Sequence, residues 1–291
     1  MTRTVFLGTS GFAAAILTRL ADSPHRPQLV VTRPDRPAGR GRKLSAPPVA
    51  AAARALDLAL AQPEKVNDED ARAQIAAAAP EAVIVCAFGA LIREPLLSDF
   101  ELLNVHPSPL PRWRGAAPVE RAIMAGDEET GVCIMRLTAG LDSGPVCLMG
   151  REPIAADDTY GTLTPRLQEL GAELLLRVLD ERPDCAEQVE QGVTYAEKIG
   201  PADRTLDPAA TAAVNDRVVR ALTPHIGARA ELTDGGFLGV LRAAVREPDV
   251  AGELRAEGDR LLLGGLELLE VQPAGGRPMD AAAYLRGRAR P

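Results

Sequence analysis

Short, wholly apolar runs alternate along the chain with longer stretches in which apolar and polar residues recur at helical spacing. Residues 5–8 and 29–32 read as β-strands, with a helix at 12–20 between them. Residues 48–58 are alanine-rich and helical, a short strand follows near Leu60, and 68–79 form a helix opened by acidic residues. The run Ala82-Val83-Ile84-Val85-Cys86-Ala87 has no polar face, as expected of a parallel strand buried on both sides. A short helix at 95–100 and a strand at 102–105 complete the series. Repeated β-α units predict a Rossmann-like α/β fold with a doubly wound, mainly parallel sheet. In such sheets ligands bind beyond the carboxyl ends of the strands.

The pattern then changes. Two β-prone runs, 130–137 and 145–150, flank the glycine-rich segment 138–144, and 160–180 carries Leu163, Leu167, Leu170 and Leu174 at helical spacing. After the breaker at 182–184 the chain turns polar and weakly periodic to about 205. Beyond it come short strand-like pieces with glycine turns at Gly235-Gly236, Gly252 and Gly264-Gly265. The expected organisation is a first domain over 1–184, a linker over 185–204 and a small OB-like β-barrel over 205–291.

Composition narrows the classes. Hydrophobic content of 46% and charged content of 25% over 291 residues suit a soluble protein of one large or two unequal domains. The opening Met1-Thr2-Arg3-Thr4 runs straight into a strand without a signal-like apolar run, and no stretch reaches membrane-span length, so a cytoplasmic protein with no membrane partner is expected. A net charge of −7 disfavours non-specific nucleic-acid binding. DNA is not an expected partner, and RNA contact requires a local basic patch. Cys86, Cys133, Cys147 and Cys185 are far apart and form no CxxC pair, which predicts reduced core thiols and neither a metal site nor disulfides.

Candidate chemistry concentrates in two places. Gly8-Thr9-Ser10-Gly11 fits no phosphate-loop pattern and reads as a tight turn between strand and helix. Asn104 and His106, two apart at a strand end, point to the same side and can reach one ligand atom, at a carboxyl edge where the following prolines stop the ladder. Asparagine offers an amide N–H to a developing oxyanion, and histidine titrates near working pH. A carboxylate to set the histidine tautomer and stabilise its charged form is Asp142, whose neighbours Gly140 and Gly144 allow close backbone approach.

The segment Asn104-Val105-His106-Pro107-Ser108-Pro109-Leu110-Pro111, followed by Gly140-Leu141-Asp142, resembles the folate-dependent formyltransferases. That resemblance implies a catalytic set of Asn104, His106 and Asp142. It also implies 10-formyltetrahydrofolate as formyl donor, with the pterin against the backbone of Ala87, Phe88, Gly89, Ala90 and Leu91, and Ser108, Pro109, Leu110 and Pro111 lining the folate site. The insertion Pro34-Asp35-Arg36-Pro37-Ala38-Gly39-Arg40-Gly41-Arg42-Lys43 is similar to that of members acting on initiator methionyl-tRNA, as are Arg112 to Pro118 and Thr194 to Lys198. A monomer is expected.

The residues of the insertion agree. Arg33, Arg36, Arg40, Arg42 and Lys43 stand against the single carboxylate Asp35, and two prolines with Gly39 and Gly41 rule out a helix. An exposed loop that orders against RNA phosphates is the physical expectation. Residues 204–291, by contrast, carry as many acidic as basic groups and only Phe237 and Tyr284 as aromatics, so that barrel is expected to position RNA by shape. Two other readings stay open: a formyltransferase acting on a small amine or sugar nucleotide, which leaves the basic loop unexplained, and a non-catalytic RNA-binding protein on the same fold.

Overall fold

In the computed structural model, residues 1–38 and 43–287 are described, the side chains of Ala38 and Lys43 excepted. The contacts divide the chain into two compact units that interleave along the sequence. The first holds Met1–Gly115, Gly131–Glu152 and Pro165–Tyr195; the second holds Ala116–Thr130, Pro153–Thr164 and Ala196–Pro291. The expected linker over 185–204 is therefore shared, its residues through Tyr195 in the first unit and those from Ala196 in the second.

The first unit begins β1 (Thr4–Gly8), α1 (Gly11–Ala21), β2 (Pro27–Val31). A small antiparallel ribbon, β3 (Arg36–Ala38) with β4 (Lys43–Ser45), follows. Then come α2 (Pro48–Ala55), β5 (Leu60–Ala61), α3 (Glu69–Ala77), β6 (Ala82–Cys86), α4 (Leu96–Asp99), β7 (Leu102–His106) and the short β8 (Arg114–Gly115). Helix α5 (Pro118–Ala125) lies in the second unit and precedes β9 (Glu129–Arg136) and β10 (Val146–Pro153). The long α6 (Tyr160–Glu181) and the short β11 (Tyr195–Ala196) complete this half of the chain.

The main sheet has seven strands in the order β10-β9-β7-β6-β1-β2-β5. Strands β5, β2, β1, β6 and β7 pair in parallel, and β9 runs antiparallel to β7. The alternation of apolar runs and helices is thus realised as a mixed α/β sheet of Rossmann-like kind, with β7 where the strand direction reverses. Every residue of β1, β6 and β7 is buried. Each large apolar side chain sealed there contributes about 1.5–3 kcal/mol. Gly171 of α6 lets the helix lie close over β7 and β9, because an added Cβ would meet Val105 and Val132 within 3.3 Å. The turn after β1 is the expected strand-to-helix corner: Ser10 caps α1 by accepting from Ala13 N, and Thr9 Oγ1 donates to the Phe88 carbonyl at 2.6 Å.

One expectation needs correction. Cys147 and Cys185 form a disulfide, whereas only Cys86 and Cys133 are buried free thiols. The cause is a backbone pairing invisible in the sequence: Val146 and Ala186 exchange N–H···O bonds of 2.8 and 2.9 Å, which sets the two cysteines side by side across α6. The basic insertion, for which the sequence excluded a helix, has its two flanks paired as a short ribbon, Arg36 opposite Ser45 and Pro37 opposite Leu44.

The second unit contains the 3-10 turn Ala202–Arg204, α7 (Ala212–Leu222), β12 (Ala228–Glu231), β13 (Phe237–Val245), β14 (Leu254–Glu257), β15 (Arg260–Leu263), β16 (Leu266–Gln272), β17 (Met279–Asp280) and α8 (Ala281–Arg286). Its antiparallel sheet is ordered β12-β13-β16-β15-β14, with β17 added on β16. Register shifts around Arg242 bend β13 and curl the sheet. Helix α5 packs on α7. Glu120 of α5 meets His225 Nε2 at 2.9 Å, the Tyr160 ring stacks on His225 at 3.6 Å, and Arg220 donates to the Asp158 carbonyl at 2.8 Å.

Candidate active site

Strand β7 delivers Asn104 and His106 to one face at its carboxyl end, 8% and 4% exposed respectively. Asn104 sits beside Val85 of β6 and Met135 of β9, and His106 beside Cys133. Both neighbours are fixed by sheet hydrogen bonds, so the two side chains project from a rigid edge.

Asp142 comes over them from the 138–144 turn. Its Oδ1 accepts from Asn104 Nδ2 at 3.4 Å, and its Oδ2 accepts from the Gly115 backbone N–H at 2.8 Å and lies 3.7 Å from His106 Nδ1. The histidine is held from its other side, where Nε2 is 2.9 Å from the Trp113 carbonyl. A carbonyl only accepts, so Nε2 carries the proton and the neutral ring keeps its lone pair on Nδ1, facing Asp142. The tautomer is set by Trp113 and not, as expected, by the carboxylate. Asp142 is instead placed to stabilise the imidazolium once Nδ1 is protonated.

The turn that carries Asp142 needs its glycines. A Cβ on Gly144 would stand 2.0 Å from the Arg136 carbonyl, and Asp142 itself has a left-handed φ of 44°. Gln188 Nε2 donates to the Asp142 and Gly144 carbonyls at 2.9 and 2.8 Å, while its Oε1 accepts from Arg114 Nε and a terminal Arg114 nitrogen at 3.0 and 2.9 Å. Thr194 accepts from Trp113 N through its hydroxyl and from Arg114 N through its carbonyl, fixing the strand that carries Gly115. Sequence reasoning missed Gln188, and met Arg114 only inside the Arg112–Pro118 stretch, without its role here. Neither lies in a periodic segment, and the only signal near Gln188 is its polar, weakly patterned surroundings.

The residues expected around the folate divide into two kinds. Ala87, Gly89, Ala90 and Leu91 are exposed beyond β6, with Ala87 and Gly89 at φ of 41° and 74°. Phe88 packs inward among Val85, Ile92 and Leu96. Of the second group, Pro109 and Pro111 are half-buried, Leu110 packs on Cys133 and Met135, and Ser108 is fully buried with its hydroxyl donating to the Arg112 carbonyl at 2.8 Å. Phe88, Ser108 and Leu110 can therefore shape a pocket only through backbone and volume.

In the basic segment, Arg33 and Arg36 are exposed. Arg33 donates to the Gly89 carbonyl at 3.3 Å, Arg36 pairs with Glu64, and Asp35 accepts from Gln62 at 2.7 Å. Arg40 and Arg42 lie outside the described residues, and Lys43 is described only as backbone of β4.

The chain belongs to the formyl transferase family, a family of one-carbon transferases, which matches residues 2–179. Within that family it belongs with the methionyl-tRNA formyltransferases. The enzyme of that name from Halorhodospira halophila is 44% identical over 299 aligned positions, covering 98% of this chain and 96% of the relative. Solved structures agree in fold. Methionyl-tRNA formyltransferase from Clostridium thermocellum superposes with a TM-score of 0.63 at 12% identity, over 92% of this chain and 99% of that one. HypX from Aquifex aeolicus in complex with tetrahydrofolic acid superposes with a TM-score of 0.65 at 17% identity, over 98% of this chain. The chain spans about half of HypX, 47% of its length.

Proposed function

We propose that the chain transfers a formyl group from 10-formyltetrahydrofolate to the amino group of methionyl initiator tRNA, in the cytoplasm and as a monomer. The observation that carries this reading is the 44% identity extending over 98% of the chain, the second unit included. The amine nitrogen attacks the formyl carbon. Asn104 has two amide hydrogens, of which one is directed at Asp142 and the other is available to the formyl oxygen as it gains charge. His106 Nδ1 takes a proton from the attacking nitrogen, Asp142 stabilises the resulting imidazolium, and the C–N10 bond breaks with a proton delivered to N10. The products are the N-formylated aminoacyl-tRNA and tetrahydrofolate.

By function, 1–184 carries the chemistry, 185–204 connects and 205–291 acts as an OB-like barrel that positions tRNA, while residues 116–130 and 153–164 pack within the second unit. The folate binds against the backbone of Ala87 to Leu91 and the turn Ser108 to Pro111. Arg33, Arg36, Arg40, Arg42 and Lys43 take the tRNA phosphates. The curled antiparallel sheet supports the barrel reading, and exposure of Ala87, Gly89, Ala90 and Leu91 at the carboxyl edge supports the folate placement.

The test is formylation by the purified chain, with 10-formyltetrahydrofolate, of charged initiator tRNA against a nucleotide-linked amino sugar. Formyl-methionine on the tRNA is expected. Turnover of the amino sugar alone would overturn the reading.

A further inference from the structure

We propose that Gln188 is a positioning residue for formyl transfer, an amide clamp that fixes the Asp142 turn against the Arg114–Gly115 strand. The proposal rests on the reading of Asn104, His106 and Asp142 as the reacting set.

The turn it holds is closed at its base by the Arg136 N–H, which donates to the Pro145 carbonyl at 2.9 Å, and its tip is open to solvent. Residues 138–141 are exposed, Leu141 to 61%, and the backbone at Asp142 is left-handed, outside any ladder. Gln188 meets this turn with all its hydrogen-bonding capacity in use. Its two N–H groups go to the Asp142 and Gly144 carbonyls, and its oxygen receives two donors from Arg114. The orientation of the amide is forced, because arginine can only donate and carbonyls can only accept.

Arg114 is 5% exposed, and Gln188 Oε1 accepts two of the hydrogen bonds its buried guanidinium needs. The next residue, Gly115, donates to Asp142 Oδ2 at 2.8 Å. One amide thus ties the carboxylate's backbone to the strand whose own N–H orients the carboxylate's oxygen. Gln188 is itself anchored, since Cys185 is bonded to Cys147 and Ala186 is paired with Val146 only two residues before it. A loosened clamp would let Asp142 drift from His106 and Asn104, and a displacement of about 1 Å in a reacting constellation can cost on the order of a hundredfold in rate.

The experiment measures kcat, KM for tRNA and for the folate, and thermal midpoint for Gln188→Leu and Gln188→Glu, each alone and combined with Asp142→Asn. Gln188→Glu retains the oxygen that Arg114 requires while removing both donors to the turn, so it carries the test if Gln188→Leu fails to fold. The expected result is a kcat lowered by about tenfold or more with both KM values within about twofold. In the Asp142→Asn background the same replacements should change kcat by less than about twofold, because the group being positioned is already gone. An unchanged kcat in folded Gln188→Glu, or an equal fold-loss in both backgrounds, would overturn the clamp. Full activity of Asp142→Asn alone would instead overturn the reading of the reacting set.

Discussion

The Nε2 of His106 lies 2.9 Å from the carbonyl oxygen of Trp113, and its Nδ1 faces Asp142 Oδ2 at 3.7 Å. The ring therefore has a built-in polarity, with its proton held on the side away from the carboxylate. Nitrogen-15 NMR of the neutral imidazole should show a protonated Nε2 and a pyridine-like Nδ1. A protonated Nδ1 in the neutral ring would reverse the assignment of the base nitrogen.

Loss of the reacting groups should be costly without unfolding the chain. Asn104→Ala and His106→Ala are each expected to lower kcat by roughly a hundredfold or more, the usual scale for an oxyanion donor or general base. Asp142→Asn should keep fold and folate binding, since asparagine tolerates the left-handed backbone at that position, and still lose most activity. Steady-state kinetics beside a folate-binding titration would separate the two effects, and near-normal turnover in any of the three would remove that residue from the mechanism.

RNA recognition should separate from the chemistry. Replacing Arg40 and Arg42 by Ala should raise KM for tRNA strongly and flatten the salt dependence of tRNA binding by about one unit of log-log slope per lost phosphate contact. Folate binding should hardly change. Equal slopes for the wild type and the double variant would show the insertion to be a solvated surface feature.

Asp203 reports on the second unit. The Arg121 guanidinium, 2.7 Å away, holds its carboxyl below the ordinary carboxylate range, aided by the Gly200 N–H. A folded-state value lowered in this way stabilises the fold above the unfolded value of about 3.9 and loses that contribution as pH falls through the folded value. Asp203→Asn should destabilise the chain by about 1 kcal/mol or less at pH 7, the pair being partly open to solvent, and the difference should fade towards pH 3. Denaturant melts across that range would show it, and a gap independent of pH would remove the charge from the explanation.

The thiols give a count. Burial pushes the Cys133 thiol up to about 12 and raises that of Cys86 as well, so neither should react in the native chain at pH 8. Denaturation without reductant should expose only these, and reduction should add Cys147 and Cys185. Titration with a chromogenic disulfide reagent reads the result. Full reactivity of all four without reductant would mean that the Cys147–Cys185 bond is absent.

Much of the first unit is legible in the sequence because its signals are local. A strand buried on both sides, such as β6, is an unbroken apolar run, and Asn104 and His106 are related by the two-residue period of a strand. Asp142 stands out as a carboxylate in a glycine-flanked turn, but its link to His106 comes from resemblance to a known motif, because nothing local ties a turn residue to a strand far behind it. Gln188, the Arg114 side chain's role and the Cys147–Cys185 bond escape for the same reason. Each depends on backbone segments brought together across α6, and a hydrogen bond between distant segments leaves no periodic trace. The Trp113 carbonyl is harder still, since a backbone oxygen has no residue type to betray it.

The second unit draws α5 and the Tyr160 segment from the middle of the chain, where Val119, Ala122 and Ile123 are buried and His225 is engaged by Glu120 and Tyr160. It is therefore no detachable cassette. A chain ended at residue 204 would leave α5 without α7, baring an apolar helix face, and a chain started there would lack α5 and both partners of His225. Recombination at that junction would pass on half of a packed body. Shuffling of this C-terminal half among relatives should succeed only when residues 116–130 and 153–164 travel with it, so that these stretches of sequence are inherited together despite the distance between them.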